Sequence, residues 1–322
     1  MAYSFLYGCT RIIYLFSILI VMNRFLSKLC LVSAAFLLLS VSSFFSMLCY
    51  MGSWNQIVLV DKAKRSYVSS LQGRKICFVG GSNLSYGLDS RMVQTHFGVQ
   101  VANMGLHAGL GMNYMLYEIK PYLRQGDVLV VVPEYNQFTD YYGSSALADL
   151  LIQSKQWSNL HMYKEWTTYP SYFCSKVFIP SLLGRKVQDD YADNPSGFSE
   201  IGDYILHLDQ ERSPFPCLPL AERPKESQIR AFSDELKALK SRGVRVILLP
   251  PPYAQTSFER SAPYIEEIAT RLATDSVAFD AAPSRYCLAD TLFWNTAYHL
   301  SAVGRKMRTE MVIADLERIG IN

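Results

Sequence analysis

The stretch KICFVGGSNLSYGLDS, residues 75–90, decides how the chain is interpreted. A short apolar run ends in Gly80 and Gly81, and Ser82 follows at once. Such a run predicts a strand that is covered on both faces. A serine directly after it is either a helix cap or, with a base nearby, a nucleophile. The residues that follow the other predicted strands decide between these two interpretations.

The composition limits the class of protein. The chain has 322 residues, of which half are apolar and 18% are charged, so it can form a sizeable core and is not predicted to be disordered. The net charge is only +3. No basic stripe, phosphate-binding loop or zinc-ligand spacing is present in the sequence. We therefore expect neither a nucleic-acid partner nor a cofactor or metal.

The chain has seven cysteines and no CxxC pair. Cys30 and Cys49 fall in an apolar segment and Cys77 in a predicted strand, where a thiol acts as a small core residue. The cysteines outside these segments that could pair are Cys174, Cys217 and Cys287. The odd count and scattered spacing leave a disulfide open.

Residues 25–51 predict a transmembrane signal-anchor helix. Residues 29–51 carry no charge, and about 20 apolar residues are enough to cross a bilayer. Arg24 and Lys28 precede the run, so the positive-inside rule puts the N-terminus in the cytoplasm and the rest outside. A cleaved signal peptide is the alternative. The long apolar run and the lack of an Ala-x-Ala site near Tyr50 favour an uncleaved, single-pass anchor in the cytoplasmic membrane.

Residues 1–24 form the predicted cytoplasmic N-terminus. They contain a second apolar run that is too short to span a membrane. Met22 followed by Arg24 is a natural beginning for a signal-anchor protein, so we expect residues 1–21 to result from a wrongly assigned start. Residues 52–73 are predicted to be a juxtamembrane linker with some helix.

The soluble part alternates strand and helix patterns. The predicted strands are residues 75–80, 99–105, 127–133, 244–250 and 276–280. The predicted helices are residues 111–123, 225–243, 257–273 and 301–319. This alternation predicts an α/β domain over residues 74–320, with a central parallel sheet of about five strands in a three-layer sandwich.

Residues 138–224 interrupt this alternation. The segment is too long for a simple connection and is rich in tyrosine and tryptophan, so we expect a helical insertion or a lid. The aromatic side chains either pack a small subdomain or, at the edge of an active site, stack on sugar rings. Composition favours packing for any single residue.

Chemistry-bearing residues follow several of the predicted strands. Ligands of open α/β sheets bind at the carboxyl ends of the strands, so these residues share one edge. Ser82 would attack an ester carbonyl, and His299 is the candidate base for its proton. The candidate oxyanion donors are the Ser82 and Gly105 amides and the Asn136 side chain. His107 and Tyr135 are candidates for substrate contact at the same edge.

This arrangement resembles the SGNH (GDSL-like) hydrolases. The stretches that carry the resemblance are GGSN (80–83), NMGLHAGLG (103–111), VVVPEYNQF (130–138) and FWNTAYHLSAVGR (293–305). The resemblance implies a flavodoxin-like sheet, with Ser82 as nucleophile, Gly105 in the oxyanion hole and His299 as base. Asn136 stands in for the asparagine of the family's Gly-x-Asn-Asp, which this chain lacks.

The chain departs from the family at the acid of the triad. The family has an acid three residues before the histidine, where this chain has Thr296, and related membrane-anchored proteins place it four before, where it has Asn295. Asn295 could orient His299 through Nδ1, as asparagine does in Cys-His-Asn proteases. Asp290 or Glu134 could supply the acid instead. A Ser-His dyad and an inactive domain remain as alternatives.

The sequence therefore predicts an extracytoplasmic serine esterase or O-acyltransferase that works through a seryl intermediate. The resemblance to envelope-type members implies acyl groups, acetyl above all, on a cell-envelope glycan, and polysaccharide machinery as partner. The alternative is an inactive SGNH-like binding or scaffold protein of envelope polysaccharide assembly. A nucleotide-binding flavodoxin-like domain ranks last, because GGSNLSYG lacks the G-x-G-x-x-G spacing.

Overall fold

The structure is a computed structural model, and it describes residues 21–42, 56–183 and 194–321. The chain divides into two compact units, Met1–Gly52 and Ser53–Asn322.

The described residues of the first unit form one apolar helix, α1 (Val21–Ser42). It has 22 residues and a mean hydropathy of 2.0, so it is long and apolar enough to span a membrane. The predicted anchor was residues 25–51, and the helix begins four residues earlier. The predictions for residues 1–20, and for the anchor and linker between residues 43 and 55, lie outside the described residues.

The second unit is a mixed α/β structure. Its strands are β1 (Lys75–Gly80), β2 (Gln100–Asn103), β3 (Val128–Val132), β4 (Arg245–Leu248), β5 (Tyr253–Ala254) and β6 (Cys287–Leu288). Its helices are α2 (Ile57–Ser70), α3 (Ser82–Gly87), α4 (Ser90–Phe97), α5 (Gly111–Ile119), α6 (Ser145–Gln153), α7 (Tyr169–Phe173), α8 (Ile179–Leu182), α9 (Glu226–Ser241), α10 (Gln255–Thr274) and α11 (Ala302–Arg318).

The main sheet is parallel and has the strand order β2-β1-β3-β4. Ile76 of β1 lies opposite Val101 of β2 on one side and Val128 of β3 on the other. Every residue of β1 and β3 is buried, which explains why both strands are continuous apolar runs rather than alternating ones. The predicted parallel sheet is confirmed.

The predicted fifth strand, residues 276–280, is wrong: the main sheet has four strands. Ser276 has a positive φ of 62°, which interrupts an extended chain at its first residue. The Asp280 carboxylate accepts a hydrogen bond from the Leu248 N–H at 2.7 Å, and the Asp280 N–H donates to Leu248 O at 2.8 Å. A side chain thus occupies the last ladder position of β4. A separate two-stranded parallel sheet pairs β5 with β6.

Two other segments are helical, as their patterns predicted, and the first of them packs on the domain. The linker prediction covered 52–73, yet α2 buries Ile57, Val60 and Val68 and contacts β2 and α6. The insertion contains α6, α7 and α8. Its buried aromatic side chains, among the described residues, are Phe138, Tyr141, Tyr163, Tyr169, Phe173 and Tyr204. Tyr169 packs on Tyr163 and Phe173 within the insertion. Phe138 and Tyr141 pack instead on Phe232 of α9.

The five cysteines in the described ranges, which include Cys174, Cys217 and Cys287, form no disulfide with one another.

Candidate active site

Ser82 is the first residue of α3 and follows β1 through two glycines. A Cβ on Gly80 would lie 2.2 Å from the Val132 carbonyl oxygen, and one on Gly81 would lie 2.3 Å from Glu134 Oε1. A larger side chain at either position would collide with the end of β3 or with Glu134 after it, so both positions require glycine. Because Ser82 begins the helix, its N–H has no acceptor within the helix.

His299 lies beside Ser82. Its Nε2 is 2.8 Å from Ser82 Oγ, and its Nδ1 is 2.9 Å from Asn295 Oδ1. A short loop builds this geometry: Phe293 pairs with Leu300 in an antiparallel bridge, and the Trp294 N–H donates to His299 O at 2.7 Å. The structure thus brings together three residues that the sequence singled out.

The environment of His299 keeps its ring neutral. Burial, together with the positive charges that His207 and His107 can carry, lowers the pKa of His299 to about 3. The amide of Asn295 accepts a hydrogen bond but brings no negative charge to stabilise an imidazolium. With Nδ1–H donated to Asn295, Nε2 is free to accept the Ser82 hydroxyl proton, as a weak base.

Tyr86 supports the face of the imidazole. The two rings are stacked with centroids 3.9 Å apart and planes 6° apart, and Tyr86 is buried. Trp294 and His207 pack on Tyr86 with centroids at 5.7 and 4.8 Å. The sequence analysis missed Tyr86. The signal was its spacing, since residues i and i+4 of a helix share a face and Tyr86 is four residues after Ser82.

Glu134 also contacts the candidate nucleophile. Its Oε1 is 3.3 Å from Ser82 Oγ and accepts the Asn83 N–H at 3.1 Å, and the carboxylate caps the following turn at the Gln137 N–H. Glu134 is 3% exposed. Burial raises the pKa of Glu134, against hydrogen bonds from Asn83 and Ser82 that lower it. The sequence placed Glu134 among the substitutes for the acid behind His299, whereas the structure places it at Ser82.

Asn83 joins this carboxylate to a buried arginine. Its side-chain Nδ2 donates to Glu134 Oε1 at 3.4 Å. Its backbone carbonyl oxygen and its side-chain Oδ1 accept hydrogen bonds from Arg308 at 3.0 and 3.3 Å. Arg308, on α11, is 1% exposed, and burial lowers its pKa to about 10. An amide therefore stands between a buried anion and a buried cation, and all three groups fix the start of α3.

The loop after β2 is held by internal hydrogen bonds. The Gly105 N–H, a predicted oxyanion donor, donates to Asn103 Oδ1 at 2.9 Å, so it is already engaged. Lys64 of α2, itself buried, donates through Nζ to the carbonyl oxygens of Asn103, Gly105 and Gly202 at 3.0, 2.6 and 2.6 Å. The loop is fixed by a cation from a helix that the sequence predicted as linker.

Three further predictions need correction or remain unsupported by contacts. Tyr135, a predicted substrate contact, is 0% exposed and packs on Tyr253 with centroids 5.6 Å apart, so it offers no surface to a ligand. The Asp290 carboxylate binds the N–H and hydroxyl of Thr256 at 3.1 and 2.6 Å, where it caps α10 instead of supporting His299. Asn136 is exposed, and no described contact links it to Ser82 or His299.

His107 remains at the same edge as His299. It is partly exposed, and its Nδ1 accepts the Gly109 N–H at 3.1 Å. Its charge is close enough to lower the pKa of His299. This position is compatible with its predicted contact to a substrate.

No protein-family model matches the chain, and no curated protein matches it significantly in sequence. The functional argument therefore rests on the contacts of the described side chains.

Proposed function

We propose that the chain is a serine esterase or O-acyltransferase of the SGNH (GDSL-like) superfamily. The observation that carries the proposal is the hydrogen-bonded series from Asn295 through His299 to Ser82. A serine that begins a helix after a buried strand, with a neutral imidazole in contact, is the arrangement that nucleophilic acyl transfer requires.

The sheet supports the fold part of this proposal. Its order, β2-β1-β3-β4, corresponds to the first four positions of the flavodoxin-like order 2-1-3-4-5. The segment that ends at Asp280 is bonded to β4, at the place where a fifth strand would stand. We take the second unit as a flavodoxin-like three-layer sandwich in which this edge strand is irregular.

The proposed reaction uses these contacts. Ser82 Oγ attacks the ester carbonyl carbon, and an alcohol leaves as the acyl group is bound to serine. The Ser82 N–H, at the start of α3, is directed by the helix to a developing oxyanion. Water or a sugar hydroxyl then resolves the acyl-enzyme, so hydrolysis and transfer use the same residues.

The location and substrate belong to the same proposal. Helix α1 would anchor the protein in the cytoplasmic membrane, and Arg24 and Lys28 at its start would keep the N-terminus inside and the second unit outside by the positive-inside rule. The substrate would be acyl groups, acetyl above all, on a cell-envelope glycan, and polysaccharide machinery would be the partner.

The test is labelling of the full-length protein in detergent with a fluorophosphonate probe. Ser82 would bond to phosphorus as fluoride leaves. We expect the wild type to label, Ser82→Ala not to label, and His299→Ala to label at least tenfold more slowly. Absence of labelling in folded wild type would contradict an activated serine.

A second candidate is an inactive binding or scaffold protein of envelope polysaccharide assembly. The neutral Asn295 behind a histidine of lowered pKa favours it, because an imidazolium there has no carboxylate to stabilise it. Full biological function of the Ser82→Ala variant would support this second candidate.

A further inference from the structure

The hydroxyl of Ser82 has two neighbours that can accept its proton. His299 Nε2 lies at 2.8 Å and Glu134 Oε1 at 3.3 Å. Distance favours His299. A single hydroxyl proton can be donated to only one of them at a time. The choice between them therefore depends on what happens to charge when the proton moves.

Transfer to His299 would create a new charge in a poor place for it. The imidazolium would lie between the Tyr86 ring and the amide of Asn295, neither of which is an anion. Burial already lowers the pKa of His299 to about 3. A catalytic triad normally meets this cost with a carboxylate at Nδ1, and this chain has an amide there.

Transfer to Glu134 would remove a charge from a buried position. Glu134 is nearly inaccessible, and the cation nearest to it in the described network, Arg308, reaches it only through Asn83. Burial favours the neutral form of a carboxyl group. As Glu134 becomes neutral, the negative charge passes to the oxyanion beside the Ser82 N–H, so the step moves a charge and does not create a new pair of opposite charges.

We infer that Glu134 is the general base for Ser82. Other triads have a carboxylate behind the histidine, and in this chain the carboxylate contacts the nucleophile directly. The inference rests on the proposed esterase or acyltransferase function. It assigns His299 and Asn295 to holding Ser82 Oγ in position: the hydroxyl donates to His299 Nε2 at rest and turns to Glu134 Oε1 when the proton is transferred.

The step balances without a further reactant. The Ser82 O–H bond breaks, Oγ bonds to the acyl carbon, and the proton goes to Glu134 Oε1. The carboxylic acid then returns this proton to the leaving alkoxide as its bond to the acyl carbon breaks. In the second half, Glu134 takes the proton of water or of a sugar hydroxyl, and Ser82 Oγ regains a proton on release.

The test compares rates of fluorophosphonate labelling in the full-length protein in detergent. Glu134→Gln keeps the shape of the side chain and removes its charge. We expect it to slow labelling about 100-fold or more, which is the usual contribution of a general base. Glu165→Gln, at an exposed position, is the matched control and should label like the wild type.

A second variant separates chemistry from folding. In Glu134→Gln/Asn295→Asp, a carboxylate stands behind His299 and should make the imidazole an effective base. We expect this double variant to label at least ten times faster than Glu134→Gln.

Asn295→Asp alone is the reference, because it also makes His299 a stronger base when Glu134 is present. A gain from Asn295→Asp that is at least tenfold larger in the Glu134→Gln background than in the wild type identifies a missing base, since a carboxylate on the 293–300 loop cannot repair a misplaced Asn83 or Gln137. An equal gain in both backgrounds would overturn the inference.

The remaining outcomes are distinct. Wild-type labelling in Glu134→Gln would overturn the inference and leave the proposed function standing. Loss in Glu134→Gln without any recovery in the double variant would also overturn it, because Glu134 would then only hold the start of α3. No labelling of the wild type would overturn the proposed function, and this inference with it.

Discussion

Tyr86 and His299 form the closest ring stack in the described part of the chain, with centroids 3.9 Å and planes 6° apart. Tyr86 lies on α3 four residues after Ser82, so one short helix carries both the candidate nucleophile and the surface on which its imidazole partner rests. The position of His299 relative to Ser82 is therefore fixed from two directions, by a hydrogen bond at the ring edge and by a ring on its face.

Tyr86→Ala should loosen this arrangement. We expect a loss of about 3–5 kcal/mol in the free energy of unfolding, as for other buried aromatic truncations. Water reaching His299 should raise its pKa from about 3 toward its ordinary value of 6.5. Urea denaturation and an NMR titration of the imidazole would measure both effects. Tyr86→Phe keeps the ring and is the control, and an unchanged His299 pKa in Tyr86→Ala would contradict the stated cause.

Asn295→Asp should make His299 a stronger base. A carboxylate 2.9 Å from Nδ1 favours the imidazolium, and such a neighbour commonly shifts a pKa by 1–3 units, here upward. If Ser82 is a nucleophile, we expect its labelling rate at neutral pH to rise in this variant. Asn295→Leu, which offers neither a charge nor an acceptor, should lower the rate. Equal rates in both variants would show that Nδ1 has no influence on Ser82.

His207 predicts a pH dependence of stability. It is 1% exposed, and burial lowers its pKa to about 4, from 6.5. Between pH 6.5 and pH 4 the histidine is protonated in the unfolded chain and neutral in the folded chain. The stability that the neutral, buried His207 contributes is therefore lost as the pH falls. His207→Phe removes the titration. We expect the stability difference between wild type and variant to shift by roughly 3 kcal/mol against the wild type between pH 6.5 and pH 4. A constant difference would contradict the assignment.

Gly81→Ala should disturb Glu134. The added Cβ would lie 2.3 Å from Oε1, and the carboxylate is held by Ser82, Asn83 and Gln137, so it cannot simply turn away. We expect a loss of about 1–3 kcal/mol, as for other overpacked positions. Adding Glu134→Ala should cost less in this background than in the wild type, because the clash is gone. Fully additive losses in thermal or urea unfolding would mean that the clash is relieved elsewhere.

Lys64→Met should destabilise the loop after β2. The substitution removes the Lys64 ammonium from three carbonyl oxygens. Among the contacts that the structure describes, only Gly105 O keeps a second buried donor, the Ser85 hydroxyl. We expect a loss of roughly 3 kcal/mol. Lys62→Met, at an exposed position of the same helix, is the matched control. Equal stability of the two variants would show that the cation contributes little.

The sequence predicted the parts of the fold that depend on local patterns. Continuous apolar runs identified β1 and β3 because both strands are covered on both faces. The run at 276–280 has a similar composition and forms no strand, because Ser276 has a positive φ and the Asp280 side chain takes the Leu248 N–H. A composition pattern contains neither fact.

The site was predictable where its residues follow strands or stand in a motif, as Ser82, His299 and Asn295 do. Glu134 was predicted to support His299, whereas it contacts Ser82. Ser82 and His299 are in contact with each other, and the order of residues along the chain does not show which of them the carboxylate reaches. Lys64 could not be placed, because a lysine on a helix near the anchor looks like a solvated side chain. Its burial depends on three carbonyl groups from distant parts of the chain.

The hydrogen bond between Ser82 and His299 joins residues 217 positions apart, and the one from Arg308 to Asn83 joins residues 225 apart. Contacts of such long range form late, after most of the chain is available to close the intervening loop. While the protein is being made, Ser82 and Glu134 are both available long before residue 299, so the serine has no imidazole beside it until that residue has been added. The order of synthesis thus delays the contact that holds the Ser82 hydroxyl until α11 packs beside α3.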